Sequence, residues 1–147
     1  MKRVRTLLVA VNETFLNAVA TVVADDARIE VVGRAHSGSA ALEKVESLRP
    51  ELVLVDVTLP DISGFEVVRR LKARPDAPLA IMLSFYDSRA EQLEAWSAGA
   101  DGFVATSETA DCLLPLVGDL LRQQNVGVRG SRPGISSKRV NPADVTN

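Results

Sequence analysis

Apolar residues in this chain come as short unbroken runs, separated by stretches in which they recur every three or four positions. Short runs rich in β-branched residues predict buried strands, and the recurring stretches predict amphipathic helices. The runs lie at 4–11, 29–33, 52–55, 79–84 and 102–105. The helical stripes lie at 14–24 (Phe15, Leu16, Val19, Val22, Val23), 37–48 (Ala41, Leu42, Val45, Leu48), 63–73 (Phe65, Val68, Leu71), 88–98, and from Ser107 onward (Leu113, Leu114, Leu116, Val117, Leu120, Leu121). Pro75 and Pro78 end the third stripe, because the residue before a proline avoids helical angles. Gly99 ends the fourth, and Pro115 lies within the fifth. The run at 29–33 is shorter and partly polar, which suits a strand near an edge. Five strands alternating with five helices predict an α/β fold: a doubly wound parallel sheet built from right-handed βαβ units.

Composition narrows the classes. With 147 residues, 46% hydrophobic and 24% charged, the chain fits one globular domain with a sizeable core. A net charge of −2 gives no electrostatic footprint for nucleic acid. The single cysteine, Cys112, excludes an intrachain disulfide framework and reads as a small packing residue. No apolar run has the length of a membrane span, and the basic start reads as the lead into a strand, not a signal peptide. The expectation is a cytoplasmic protein without a membrane partner. His36, the one histidine, reads as a surface residue, and the one tryptophan, Trp96, as helix packing. Residues 125–147 are Gly- and Pro-containing, lack apolar periodicity and carry a net +3, which reads as a disordered tail after a domain at 1–124.

The stretch with the most chemistry is 51–64, ELVLVDVTLPDISG. Leu52-Val53-Leu54-Val55 is apolar throughout, as in a strand buried on both faces. Asp56 follows directly, at the carboxyl end of that strand, where open α/β sheets hold their ligands. Thr58, Pro60, Asp61, Ser63 and Gly64 then form a polar turn into the next helix. On its own, a strand-end aspartate reads most simply as a cap. The spacing Asp56-x-x-x-Pro60-x-x-x-Gly64 resembles the phosphoacceptor segment of response-regulator receiver domains, and the likeness in element order covers about residues 4–123.

That resemblance implies a stand-alone, chemotaxis-regulator-like receiver with the flavodoxin-like (βα)5 fold and sheet order 2-1-3-4-5. It implies that Asp56 accepts a phosphoryl group from a histidine kinase or phosphotransfer protein. Ser84, ending strand four, matches the hydroxyl that bonds the phosphoryl oxygen. Phe103 in strand five matches the aromatic that swings between exposed and buried rotamers; without a phenolic hydroxyl it would switch by packing alone.

The match breaks elsewhere. The two acids that hold Mg²⁺ after strand one are replaced by Val11 and Asn12, leaving Asp56 and Asn12 as a weak metal pair. The lysine after strand five is replaced by Thr106. Phe85 and Tyr86 follow Ser84 where a small residue is usual, and are expected to crowd the pocket. Phosphoryl transfer depends on positioning and charge neutralisation, and Mg²⁺ asks for several hard oxygen ligands. If each loss cost as much as one oxyanion donor, roughly 10²–10³ in rate, the two would cost about 10⁴ or more if additive, although functionally coupled groups often do not add. Without adjacent carboxylates, Asp56 is also expected to stay ionised with no cation beside it.

The chain is therefore read as a two-component receiver, not an enzyme, with weak or atypical phosphorylation at Asp56. The alternative is a phosphorylation-independent pseudo-receiver that acts as an interaction module. A flavodoxin-like nucleotide or cofactor binder is a distant third, since Asn12-Glu13-Thr14-Phe15 has no glycine and carries an acid where a phosphate loop would be. The resemblance places the output surface on helix four, strand five and helix five, for a downstream protein or a homodimer. Arg89, Gln92, Glu94, Asp101 and Glu108 are the expected exposed positions, with Phe103 taking part in the contact.

Overall fold

The computed structural model describes residues 3–86 and 88–125. The elements run β1 (Val4–Val9), α1 (Glu13–Ala24), β2 (Ile29–Ala35), α2 (Gly38–Leu48), β3 (Leu52–Asp56), α3 (Gly64–Lys72), β4 (Leu79–Ser84), α4 (Arg89–Ala98), β5 (Gly102–Ala105) and α5 (Thr109–Asn125). The five strands form one parallel sheet in the order β2-β1-β3-β4-β5. This is the predicted flavodoxin-like arrangement, with β2 and β5 at the edges. The predicted tail falls almost entirely outside the described residues.

Side chains alternate across each strand, and the central strand shows how this builds the core. Val53 and Val55 face a cluster with Ala41 and Val45 of α2, Phe65, Val68 and Leu71 of α3, and Ala95 and Ala98 of α4. Leu52 and Leu54 face the other side, against Leu16, Val19 and Val23 of α1 and Leu113, Val117 and Leu120 of α5. Trp96 packs against the first cluster and Cys112 against the second, as structural residues.

Four helices start on a side-chain cap. Asn12, Ser37, Ser63 and Ser88 accept from the backbone N–H of Phe15, Ala40, Glu66 and Glu91. Each cap satisfies a first-turn donor that would otherwise lack a partner. Gly99 closes α4 with φ of 99°, a conformation glycine adopts without strain.

Three boundaries differ from the sequence reading by two residues, and the others by one at most. β1 ends at Val9, not Val11: the chain leaves the sheet at Ala10, and Val11 is exposed. β2 runs on to Ala35, because its polar residues lie along an edge strand that pairs with β1 alone. The last helix is preceded by a 3-10 turn at Thr106–Glu108 instead of starting at Ser107.

Candidate functional site

The register brings the predicted chemistry to one end of the sheet. Asp56 pairs with Leu83, and Ser84 with Ala105, so the tips of β3, β4 and β5 lie side by side. Above them is a cleft of about 690 Å³ lined by Asn12, Thr14, Phe15, Ala18, Asp56, Thr58, Phe85, Tyr86 and Thr106. Asn12, Asp56 and Thr106, placed in the site from sequence, therefore share one cavity.

Asp56 is half-buried at the cleft floor. Its position is fixed from behind by Gly64. The Gly64 N–H donates to the Val57 carbonyl at 2.8 Å, and a Cβ on Gly64 would stand 2.1 Å from the Asp56 carbonyl oxygen. This close approach is the physical reason for glycine eight residues after the aspartate. The loop between them is tied to α2, where the Asp61 carboxylate accepts from Gly38 N–H at 2.7 Å and Ser39 N–H at 2.9 Å. These bonds to the charged form hold the Asp61 carboxyl well below its ordinary range.

Burial pushes the Asp56 carboxyl upward, backbone N–H bonds from Thr58 and Val57 pull it down, and the charge of Glu91 adds to the rise. The bond from Thr58 N–H measures 3.2 Å. The net direction is up, chiefly by burial, with a smaller like-charge contribution from Glu91, so Asp56 is not wholly relieved of like-charge repulsion as expected. Glu91 supplies that repulsion from α4, and the sequence reading missed it.

Glu91 also changes the role open to Ser84. Ser84 is 1% exposed. Its Oγ accepts from Tyr86 N–H at 3.1 Å, lies 2.7 Å from the Tyr86 carbonyl oxygen, and is hydrogen-bonded to the Glu91 carboxylate. A serine hydroxyl carries one proton, and two acceptors already compete for it. One signal was available: Ser88-x-x-Glu91 has the capping-box spacing that marks the start of a helix beside the site.

Phe85 and Tyr86 wall the cleft without filling it. They are 78% and 68% exposed and meet edge to face with ring centroids 5.6 Å apart. The expected crowding is therefore a rim. Phe103 is fully buried in the cluster under α3 and α4, so in this conformation it takes no part in a surface contact. Gln92 is buried as well, and Asp101 is half-buried, pairing with Lys72 at 2.5 Å and accepting from Ala80 N–H at 2.9 Å. Glu108 is half-buried, while Arg89 and Glu94 are exposed as expected. His36 is exposed, does not line the cleft and is in contact with Glu13.

Residues 7–117 match the family model of the response regulator receiver domain. The chain belongs to this family. Among curated proteins, it is 30% identical to a protein-glutamate methylesterase/protein-glutamine glutaminase of Desulfotalea psychrophila, over 97% of this chain and 42% of that one. It is 34% identical to the DNA-binding transcriptional activator DevR/DosR of Mycobacterium tuberculosis, over 69% of this chain and 46% of the activator. The receiver thus spans less than half the length of these relatives. A solved CheY-like receiver domain protein of Methanospirillum hungatei superposes with a TM-score of 0.76 at 26% identity, covering 86% of this chain and all of that one.

Receiver domains bind Mg²⁺ at the acidic pocket beside the acceptor. Here Asp56 is the one carboxylate among the described residues lining the cleft. The Asn12 side-chain oxygen is committed to Phe15 N–H at 2.9 Å, and Val11 offers no ligand. No group of three or more His, Cys, Asp or Glu among the described residues is placed to hold a metal. This donor set does not fit an octahedral Mg²⁺ site of the usual kind. Among the described residues, no helix is long and apolar enough to cross a membrane.

Proposed function

We propose that this receiver serves two-component phosphorelay signalling with Asp56 as the aspartyl phosphoacceptor, and that transfer to it is slow. The observation that carries this reading is the half-buried Asp56 carboxylate at the tip of β3, opening into a cleft beside the tip of β4. In transfer from a phosphohistidine, a carboxylate oxygen of Asp56 forms the new O–P bond. The N–P bond breaks, and the imidazole leaves with the electron pair and takes up a proton from solvent. The rate depends on neutralising charge on the transferring group. Thr58 and Thr106 bring hydroxyls to the cleft, but the described lining residues contribute no lysine or arginine. The donor is a histidine kinase or phosphotransfer protein, and the receiver is not itself an enzyme. A cytoplasmic location goes with this role.

A second reading has its own observation. Glu91 already holds the Ser84 hydroxyl and Phe103 is already inward, so the parts that would report phosphorylation are engaged without it. On this reading the domain is an interaction module that signals without phosphate. The output face is α4, with Arg89, Glu94 and the 41%-exposed Leu93 forming its outer side. Its partner is a downstream protein or a second copy of the chain.

Restoration tests whether the cleft around Asp56 can support transfer. The triple variant Val11→Asp, Asn12→Asp, Thr106→Lys should form an acyl phosphate with acetyl phosphate and Mg²⁺ at least about a hundredfold faster than the parent, by intact-protein mass. It should lose the adduct on adding Asp56→Asn. A folded triple variant with no adduct would contradict the phosphoacceptor reading and favour the module.

A further inference from the structure

The cleft over Asp56 combines a charge and a surface that the phosphoryl reading does not use together. Its floor holds a half-buried carboxylate. Its walls include Phe15 and Ala18 on one side and the exposed Phe85–Tyr86 ring pair on the other. The remaining lining residues, Asn12, Thr14, Thr58 and Thr106, are polar and uncharged, and the described lining contains no lysine, arginine or histidine. Glu91, held by Ser84, adds a second negative charge that acts on Asp56.

We propose that this cleft binds a small organic cation, an ammonium or amidinium group carried on an aromatic or apolar body. The proposal rests on Asp56 marking the functional end of the receiver and names a ligand for that same site.

Three alternatives fit the cleft less well. A bare Mg²⁺ lacks hard oxygen ligands here, since Asn12 is committed to capping α1. An anionic ligand would meet Asp56 and Glu91 with no cation among the described lining residues. A neutral apolar ligand would cover the rings while burying the Asp56 charge without a partner, which is costly. An organic cation answers both halves of the site. Its charged head pairs with Asp56, and aromatic faces favour a cation close to them. Its apolar body covers surface that Phe85 and Tyr86 leave 78% and 68% exposed. A volume of about 690 Å³ suits a small organic molecule. Once bound, it would stand between Asp56 and any phosphoryl donor, so it would act as an inhibitor of phosphorylation.

The test is a titration of the full chain, followed by backbone amide chemical shifts, with no phosphoryl donor or Mg²⁺ present. The probes are phenethylammonium and its neutral isostere 2-phenylethanol. Phenethylammonium should shift the amides of Thr58, Tyr86 and Thr106 saturably, at least about tenfold more tightly than the alcohol. Asp56→Asn should remove that preference, and Phe85→Ala, an exposed change that leaves the core intact, should weaken the ammonium as well. Equal binding of the two probes, an unchanged preference in Asp56→Asn, or no saturable shift by phenethylammonium would each overturn the proposal. None of these results bears on whether Asp56 accepts phosphate, because the titration contains no donor. Absence of a phosphate adduct would likewise leave the titration result standing.

Discussion

The Glu91 carboxylate, in the first turn of α4, is hydrogen-bonded to the hydroxyl of Ser84, the last residue of β4. The hydroxyl matched by resemblance to the family's phosphoryl contact is thus held by an acid of the same chain, whose charge also adds to the rise of the Asp56 carboxyl. Glu91→Gln keeps the size and removes the charge. It should speed adduct formation at Asp56 from acetyl phosphate by about tenfold, a gain smaller than the effect of a whole oxyanion donor. An unchanged rate would show that Glu91 does not oppose transfer.

The raised Asp56 carboxyl has a consequence for stability. An acid whose folded pKa lies above its unfolded value binds more protons when folded, so its ionisation destabilises the fold as pH rises through that window. Asp56→Asn removes the penalty. The variant should be more stable than the parent at pH 7, and the difference should close as pH falls below the ordinary aspartate value of 3.8. Urea unfolding at pH 7 and pH 3 checks this, and a less stable variant at pH 7 would contradict it.

Gly64 has no room for a side chain, because its Cβ would meet the backbone carbonyl of Asp56 at 2.1 Å, and a carbonyl at a strand end cannot step aside as a flexible side chain would. Gly64→Ala should cost about 2–3 kcal/mol, in the range of overpacked sites, read as a lower urea midpoint. A cost below about 0.5 kcal/mol, typical of unconstrained surface changes, would mean that the loop moves freely.

Asp101 joins β4 to α3. It accepts from Ala80 N–H at 2.9 Å and pairs with Lys72 at 2.5 Å, and the two side chains are 18% and 21% exposed. Asp101→Ala leaves a backbone donor and a partly buried lysine without this acceptor and should cost about 2 kcal/mol. Glu94→Ala, on the exposed side of α4, should fall within about 0.5 kcal/mol of the parent. Thermal unfolding of the two variants together checks the ordering.

Most of the fold was legible because strand runs such as 52–55 and helix stripes such as Leu16, Val19 and Val23 have different periods. The parts that were missed depend on contacts between elements. Gln92 reads as exposed from the sequence because the buried face of α4 is made of Gln92, Ala95 and Ala98, whose weak hydrophobicity leaves little periodic signal. Asp101 looked like a surface acid until the turn at Gly99 carried it back onto Ala80 and Lys72. At the site, Asp56 and Gly64 were readable because one tight loop fixes their spacing. Glu91 was not, because its reach to Ser84 depends on the path between β4 and α4.

The most direct measurement is the intact mass of the parent and of Asp56→Asn over several hours with acetyl phosphate and excess Mg²⁺. The phosphoacceptor account predicts a slowly accumulating single-phosphate adduct in the parent and none in the variant. An adduct of equal yield in both, or none in either while both remain folded, would contradict it.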